Sequence, residues 1–276
     1  VPNFDVQKKI AYILSSYDLL IENNDKRIKK LEKMTENIYK EWFVRFRFPG
    51  HKDAEYKQSV FGKIPNNFYV LKMGEALEHY IGGGWGNDKT TAEYSEDAFV
   101  VRGTDFPKIK MGDLSKCPLR YHKKNNYEKR KFLAGDIAFE VSGGTEEQPV
   151  GRSIVISERK LRRFNDKLIC ASFCKQIRCN KEIIDPLYMY YWLQHMYETR
   201  MLDKFQLQST GISNFKFEYF LRKGDVLIPP KDLMNDFVSI ASKFQEEIDY
   251  LSEQNDNLIK QRDYLLPRLM SGKLEV

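Results

Sequence analysis

Apolar positions recur at alternating steps of four and three in two stretches at opposite ends of the chain. The first runs through Ile10, Leu14, Tyr17, Ile21, Asn24, Ile28, Leu31, Thr35, Ile38 and Trp42. The second runs through Phe237, Ala241, Phe244, Ile248, Leu251, Asn255, Leu258, Arg262, Leu265 and Leu269. This is the spacing of a coiled-coil seam. With one stretch reversed, Ile10 faces Leu269, Ile28 faces Leu251 and Asn24 faces Asn255. Other whole-heptad shifts also align the steps, but only this one pairs the two asparagines. A buried amide without a partner is costly, so the pair should select the register. The pattern predicts a stalk of two antiparallel helices that leaves and returns to one intervening domain. Helix one is expected from about Asp5 to Arg47, ended by Pro49 and Gly50. At ~1.5 Å per residue it would span roughly 60 Å. Helix two is expected to start near Pro229-Pro230, with Asp232 in its first turn. Pro267 is expected to kink or end it, which makes the Leu269 layer the least secure.

Between the seams the period shortens. Short β-like runs lie at Phe68–Leu71, Phe99–Arg102, Asp136–Val141, Ser153–Ser157, Ile169–Ile177 and Val226–Ile228, separated by glycines and polar turns. Helices are expected at Met73–Tyr80 and Pro186–Met201. The second is aromatic all round and should pack against a sheet. The fold class is therefore α+β: one globular domain flanked by two long helices that form an antiparallel coiled-coil stalk. The domain boundaries are set at 1–48, 49–228 and 229–276.

Composition narrows the class. With 276 residues, the chain can bury a full core and still carry an extension. No run of eighteen apolar residues and no signal peptide is visible. The chain lacks a starting Met and begins almost inside the first helix, so a fragment, a processed start or a short variant of something longer is expected. Cys117, Cys170, Cys174 and Cys179 show no metal-ligand spacing and read as buried thiols of a reduced protein. The net charge of +6 is uneven. Residues 49–231 carry thirty Lys/Arg against twenty-three Asp/Glu, whereas residues 232–276 carry five against nine. A basic central domain fits a polyanionic partner.

Familiar catalytic motifs are missing. Gly82-Gly83-Gly84-Trp85-Gly86 has the wrong spacing for a dinucleotide loop, and no P-loop occurs. Ile228-Pro229-Pro230-Lys231 lacks the polar and aromatic residues with which an amino-methyltransferase grips its target base. The histidines, His51, His79, His122 and His195, are scattered, and His195 reads as a core residue. No catalytic residue, metal ligand or cofactor is assigned.

What recurs instead is a loop combining glycine, a hydroxyl or amide, and Arg or Lys. Glycine allows backbone N–H groups close to a phosphate; Arg pairs with guanine, and Asn or Gln with adenine. Each such loop alone also reads as a plain tight turn; together they give as candidate nucleic-acid contacts Gly84, Asn87 and Lys89; Arg102 and Thr104; Ser142; Arg152 and Ser153; and Gln208, Ser209 and Thr210. Two basic runs, Arg120–Lys131 and Arg159–Arg163, are expected to add phosphate contacts, with a solvated charged face as the alternative. Arg152 is placed in an exposed loop, so Arg152→Ala is expected to weaken DNA binding at nearly unchanged stability.

These residues resemble the DNA-specificity subunit of Type I restriction–modification systems, over nearly the whole chain. QKKIAYILSSYDLLIENNDKRIKKLEKMTENIYKEWFVRF looks like the family's conserved spacer helix, and RDYLLPRLMSGKLEV like its closing conserved region. The GGGWG loop, VRGTDF, GDIAFEVSGG, PVGRS and STGISNFKF look like parts of a target-recognition domain. The resemblance implies a non-catalytic, cytoplasmic module that reads one half of a bipartite site in double-stranded DNA. It implies methyltransferase subunits docked on the helices, and a motor-nuclease subunit reached through them. The family carries two recognition domains and this chain one. It is therefore either part of a longer subunit or a half-subunit that forms a homodimer through its helices. No membrane partner is implied. The alternative reading is a helical scaffold whose central domain binds protein.

Overall fold

The computed structural model describes residues 3–111, 113–145, 147–209 and 212–275, without the side chains of Gln208, Ser209 and Ile212. Asn3 caps the first helix, accepting the Val6 N–H at 3.0 Å. Helix α1 (Phe4–Tyr39) continues as a π-helical turn over Lys40–Val44. At the other end, helix α7 (Lys231–Met270) runs unbroken through Pro267. The expectation of a weak Leu269 layer is corrected: Leu269 and Ile10 are both buried. Pro267 withdraws one donor, from the Asp263 carbonyl, and the helix nonetheless continues to Met270.

The two helices pack antiparallel. Asn24 Nδ2 donates to Asn255 Oδ1 at 3.0 Å and to Gln254 Oε1 at 2.8 Å. Asn255 Nδ2 in turn donates to Asp25 Oδ1 at 2.8 Å. Around this polar layer Ile28 packs on Ile248 and Leu251. At the base, Trp42 meets Phe237 edge-on at 6.4 Å. Arg262, a seam position, turns outward to Asp18 at 2.7 Å. Partial burial pushes the Asp25 carboxyl above its usual range, and the Asn255 amide opposes that shift.

This layer supports a prediction. Asn24→Leu should cost about 1–3 kcal/mol, because Asn255 loses a buried partner. Adding Asn255→Leu should recover only part of the loss, since Asp25 then lacks its donor. Urea denaturation of the four proteins measures the coupling; simple additivity would show that the two side chains do not communicate.

The intervening domain contains fourteen strands among the described residues: β1 (Tyr56–Ser59), β2 (Gly62–Pro65), β3 (Tyr69–Lys72), β4 (Leu77–Gly82), β5 (Glu96–Val101), β6 (Leu119–His122), β7 (Ile137–Glu140), β8 (Ser142–Gly144), β9 (Ser153–Val155), β10 (Leu168–Cys170), β11 (Cys174–Cys179), β12 (Gln206–Ser209), β13 (Ile212–Phe215) and β14 (Asp225–Ile228). They form the sheets β4-β11-β7-β9, β10-β5-β6 and β12-β13-β8, plus the pairs β1-β2 and β3-β14. Only β5 and β10 run parallel. Five shorter helices join them: α2 (Phe106–Lys110), α3 (Lys124–Arg130), α4 (Glu158–Arg163), α5 (Pro186–Glu198) and α6 (Phe217–Lys223).

Two sequence expectations change here. Met73–Tyr80 is not a helix: a single 3-10 turn at Met73–Ala76 leads into β4, whose pairing with β11 overrides local propensity. The run Ile169–Ile177 is two strands broken by a turn at 171–173. Helix α5 is buried on almost every side because it has two neighbours rather than one. Tyr188 and Tyr191 pack on Tyr39 and Phe237 of the stalk base, while Gln194 reaches Ser153 of β9. The Tyr188 hydroxyl is satisfied by the Leu227 carbonyl at 2.8 Å.

The domain also leans along the stalk. Seam residues of α7 face α1, but Asp249, Ser252 and Asp256, spaced three and four apart, lie on a neighbouring stripe that meets α4. Lys160 pairs with Asp249, Arg159 with Glu253, and Arg163 with Ser252 at 2.9 Å. From α2, Lys110 approaches Glu32 at 3.8 Å. The basic run Arg159–Arg163 is therefore mostly engaged with the stalk, which corrects its assignment as a row of phosphate contacts.

Candidate nucleic-acid interface

Loops from separate parts of the chain are stitched into one strip by backbone hydrogen bonds. The Gly83 N–H donates to the Cys174 carbonyl at 3.0 Å, and the Gly84 N–H to the Cys170 carbonyl at 2.9 Å. The Ala171 N–H donates to the Val101 carbonyl, the Val141 N–H to the Phe173 carbonyl, and the Phe215 N–H to the Val141 carbonyl. The ends of β4, β5, β7 and β10 and the start of β11 thus meet, with the β12-β13 hairpin alongside. Glycine is required where these backbones touch. A Cβ on Gly83 would lie 2.2 Å from the carbonyl oxygens of Cys170 and Ala171. Gly86 has φ +69°, and a Cβ there would lie 2.5 Å from the Tyr121 carbonyl oxygen.

Beneath the glycine loop sits the other basic run. Arg120 donates to the carbonyls of Trp85 at 3.2 Å and Gly86 at 3.3 Å, pairs with Asp88, and stacks 4.7 Å from the Trp85 ring. Arg130 donates to the Gly82 carbonyl at 3.0 Å. Lys124 and Lys129 are exposed and carry no ion pair among the described residues. Burial, followed by the charges of Arg120 and Arg130, holds the His122 ring below its usual pKa; burial does the same for His195.

The individual candidates fare differently. Asn87 and Lys89 are exposed on the strip, and Thr104 is exposed at the end of β5. Gly84 is half-buried in the loop. Ser142 is half-buried and donates to Asn214 Oδ1 at 2.6 Å. Arg102 is folded back onto buried Asp105, with two bonds of 2.9 Å, and onto the Lys116 carbonyl at 2.7 Å. Its hydrogen bond to Asp105 raises its pKa further. Two assignments are corrected. Ser153 is buried in β9, where its hydroxyl accepts from Gln194 at 2.9 Å, so it has no surface to offer. The Arg152 side chain is 15% exposed, not looped out, and grips Glu140, 4% exposed, through bonds of 2.8 and 2.6 Å. Glu140 also fills the space beside Gly103, where a Cβ would meet its carboxylate oxygen at 2.1 Å. Arg152 thus braces two loops instead of reaching outward. Thr210 and the side chains of Gln208 and Ser209 lie outside the described residues.

One exposed residue escaped the sequence reading. Phe173 is 64% exposed at the centre of the strip. The β-like run Ile169–Ile177 hides it in sequence, and the turn at 171–173 brings it to the surface. The four cysteines are free and buried. Burial pushes the thiols of Cys117 and Cys170 up to about 12, so both are protonated at neutral pH. Among the described residues no cluster of three His, Cys, Asp or Glu side chains fits a metal ion, and no helix is long and apolar enough to cross a membrane.

No family model matches the chain. It is 24% identical over 285 aligned positions to the specificity subunit of the Type I restriction enzyme MjaIX of Methanocaldococcus jannaschii, covering 100% of this chain and 60% of that protein. The MjaVIII specificity subunit of the same organism is also 24% identical, over 284 positions, with 62% of it covered. The fold is similar to that of the Type I restriction–modification S subunit from M. genitalium, with a TM-score of 0.56 at 13% identity, covering 97% of this chain and 61% of that one. The chain is thus related along its whole length to Type I restriction-enzyme specificity subunits, and it spans about three-fifths of the relatives it matches.

Proposed function

We propose that this chain is a DNA-specificity module of a Type I restriction–modification complex, reading one half of a bipartite site. The observation that carries the reading is the match to specificity subunits across both stalk helices and the domain between them. In this reading residues 49–228 form the target-recognition domain, and 1–48 and 229–276 the spacer. Asn87, Lys89, Thr104, Ser142 and Phe173 form the DNA-facing set, and Gln208, Ser209 and Thr210 are proposed to join it on sequence grounds alone. Arg102 and Arg152 shape the loops that present it. The module is non-catalytic and cytoplasmic, and the chemistry belongs to its partners.

The stalk contributes a spacer and a docking surface. Its far end exposes Phe4, Tyr12, Leu19, Leu20 and Tyr264, apolar side chains suited to a protein partner. Methyltransferase subunits are the assigned occupants, with the motor-nuclease subunit joining through them. Two recognition domains at opposite stalk ends would lie roughly 60 Å apart or less, under two turns of B-DNA at about 34–36 Å each.

The test is duplex DNA binding titrated against salt, with and without methyltransferase subunits. Binding that weakens steeply with salt is expected. No binding at low salt, even with those subunits added, would refute the reading and favour a scaffold.

A further inference from the structure

A cavity of about 200 Å³ opens beneath the glycine loop, walled by Gly83–Gly86 on one side and by His122, Lys123, Asn126 and Arg130 on the other. Its lining is weighted towards donors, with Asn126 and Tyr94 as the other polar side chains. Arg130 enters it with its Nε tied to the Gly82 carbonyl, which fixes the guanidinium. Lys123 stands at the rim, and the carboxylate it pairs with, Glu93, is mostly exposed. His122 is 4% exposed, yet its Nε2 has no hydrogen-bond partner. A buried polar atom left unpaired is costly and calls for a ligand or a water. A nucleobase edge would ask for acceptors as well as donors. This pocket offers two cations and an imidazole held neutral by burial and by Arg120 and Arg130, while its one side-chain amide oxygen, Asn126 Oδ1, already lies 3.5 Å from Arg130.

We propose that the pocket binds one phosphate group of the DNA backbone, with His122 Nε2 and the Arg130 guanidinium as donors. The assignment rests on the reading of the chain as a DNA-binding module. It explains why the loop is glycine at Gly84, where neither φ nor space demands it: a Cβ there would meet the Arg130 side chain at ordinary contact distance, Cδ at 3.8 Å and Nε at 4.0 Å. A larger side chain at that position would fill the pocket without straining the backbone.

Two measurements on the full chain test it. In the first, side-chain NMR of His122 is followed during titration with inorganic phosphate at constant ionic strength. A saturable shift is expected in the wild type and none in Gly84→Leu. In the second, duplex DNA binding is titrated against salt for the wild type, Gly84→Leu and His122→Phe, each checked for folding by circular dichroism. Both variants should bind roughly tenfold more weakly on every DNA sequence. Their log–log salt slope should fall by about 0.9. No saturable shift in the wild type overturns the pocket. A shift without DNA binding by the wild type removes the DNA-module reading and with it the backbone assignment, but leaves an anion site. Normal wild-type DNA binding with unchanged affinity and slope in both folded variants overturns the backbone assignment alone. A loss confined to particular base pairs would make the ligand a base and overturn the phosphate.

Discussion

Arg152→Ala is expected to destabilise the folded chain by about 3 kcal/mol, the lower end of the range for breaking a buried ion pair, because the guanidinium is partly exposed. The cost arises at Glu140. That carboxylate is buried, receives both Arg152 bonds, and sits against Gly103. Without Arg152 it must stay charged and unpaired or take up a proton. Urea unfolding measures the loss. Arg152→Leu combined with Glu140→Leu should recover most of it, since removing both charges removes the uncompensated one. A variant as stable as the wild type would return Arg152 to the role of a free surface cation. If the expected destabilisation is found, any loss of DNA binding in Arg152→Ala is read through the two loops that Arg152 braces.

Lys160→Met is expected to cost more, about 3–5 kcal/mol, because both partners are almost fully buried. Lys160 and Asp249 are 4% and 3% exposed, and only the Gln245 amide, at 2.9 Å, would remain on the carboxylate. The pair lies where α4 meets α7, so its loss should also loosen the angle between domain and stalk. Thermal and urea unfolding check the first effect, and hydrogen exchange along α4 the second. Adding Asp249→Leu should restore stability. If Lys160→Met costs less than about 1 kcal/mol, α4 is not clamped on the stalk. In the proposed function that clamp matters because it fixes the direction in which the loops face relative to the spacer.

The stalk was readable from sequence because its information is one-dimensional. A four-three alternation depends only on helix geometry, and two asparagines matched across reversed seams choose one register. Gly86 could be read as a turn glycine for the same reason, since its φ of +69° is a local demand, whereas Gly83 answers to the Cys170 and Ala171 carbonyls far along the chain. The partners of charged side chains could not. Arg159–Arg163 read as a free basic face, and its acids lie on a helix some ninety residues later. Arg152 read as exposed because glycine-rich segments usually are, and Glu140 lies across a β-strand pairing that sequence spacing does not show. Met73–Tyr80 failed as a helix because a short apolar run takes its form from its neighbour, here β11.

The helix pair, its direction and register, the α+β character of the domain and the resemblance to a known family could all be drawn from the order of residues. Which cations stay exposed and which hold α4 to α7 or Glu140 in place is set by the folded chain. It alone exposed Phe173, and it alone brought Arg120 and Arg130 beneath a glycine loop that lies 34 to 48 residues earlier. The physical reason is the range of the interactions: periodicity and turn chemistry act within a few residues, whereas desolvation and charge pairing depend on what the folded chain sets within a few ångströms.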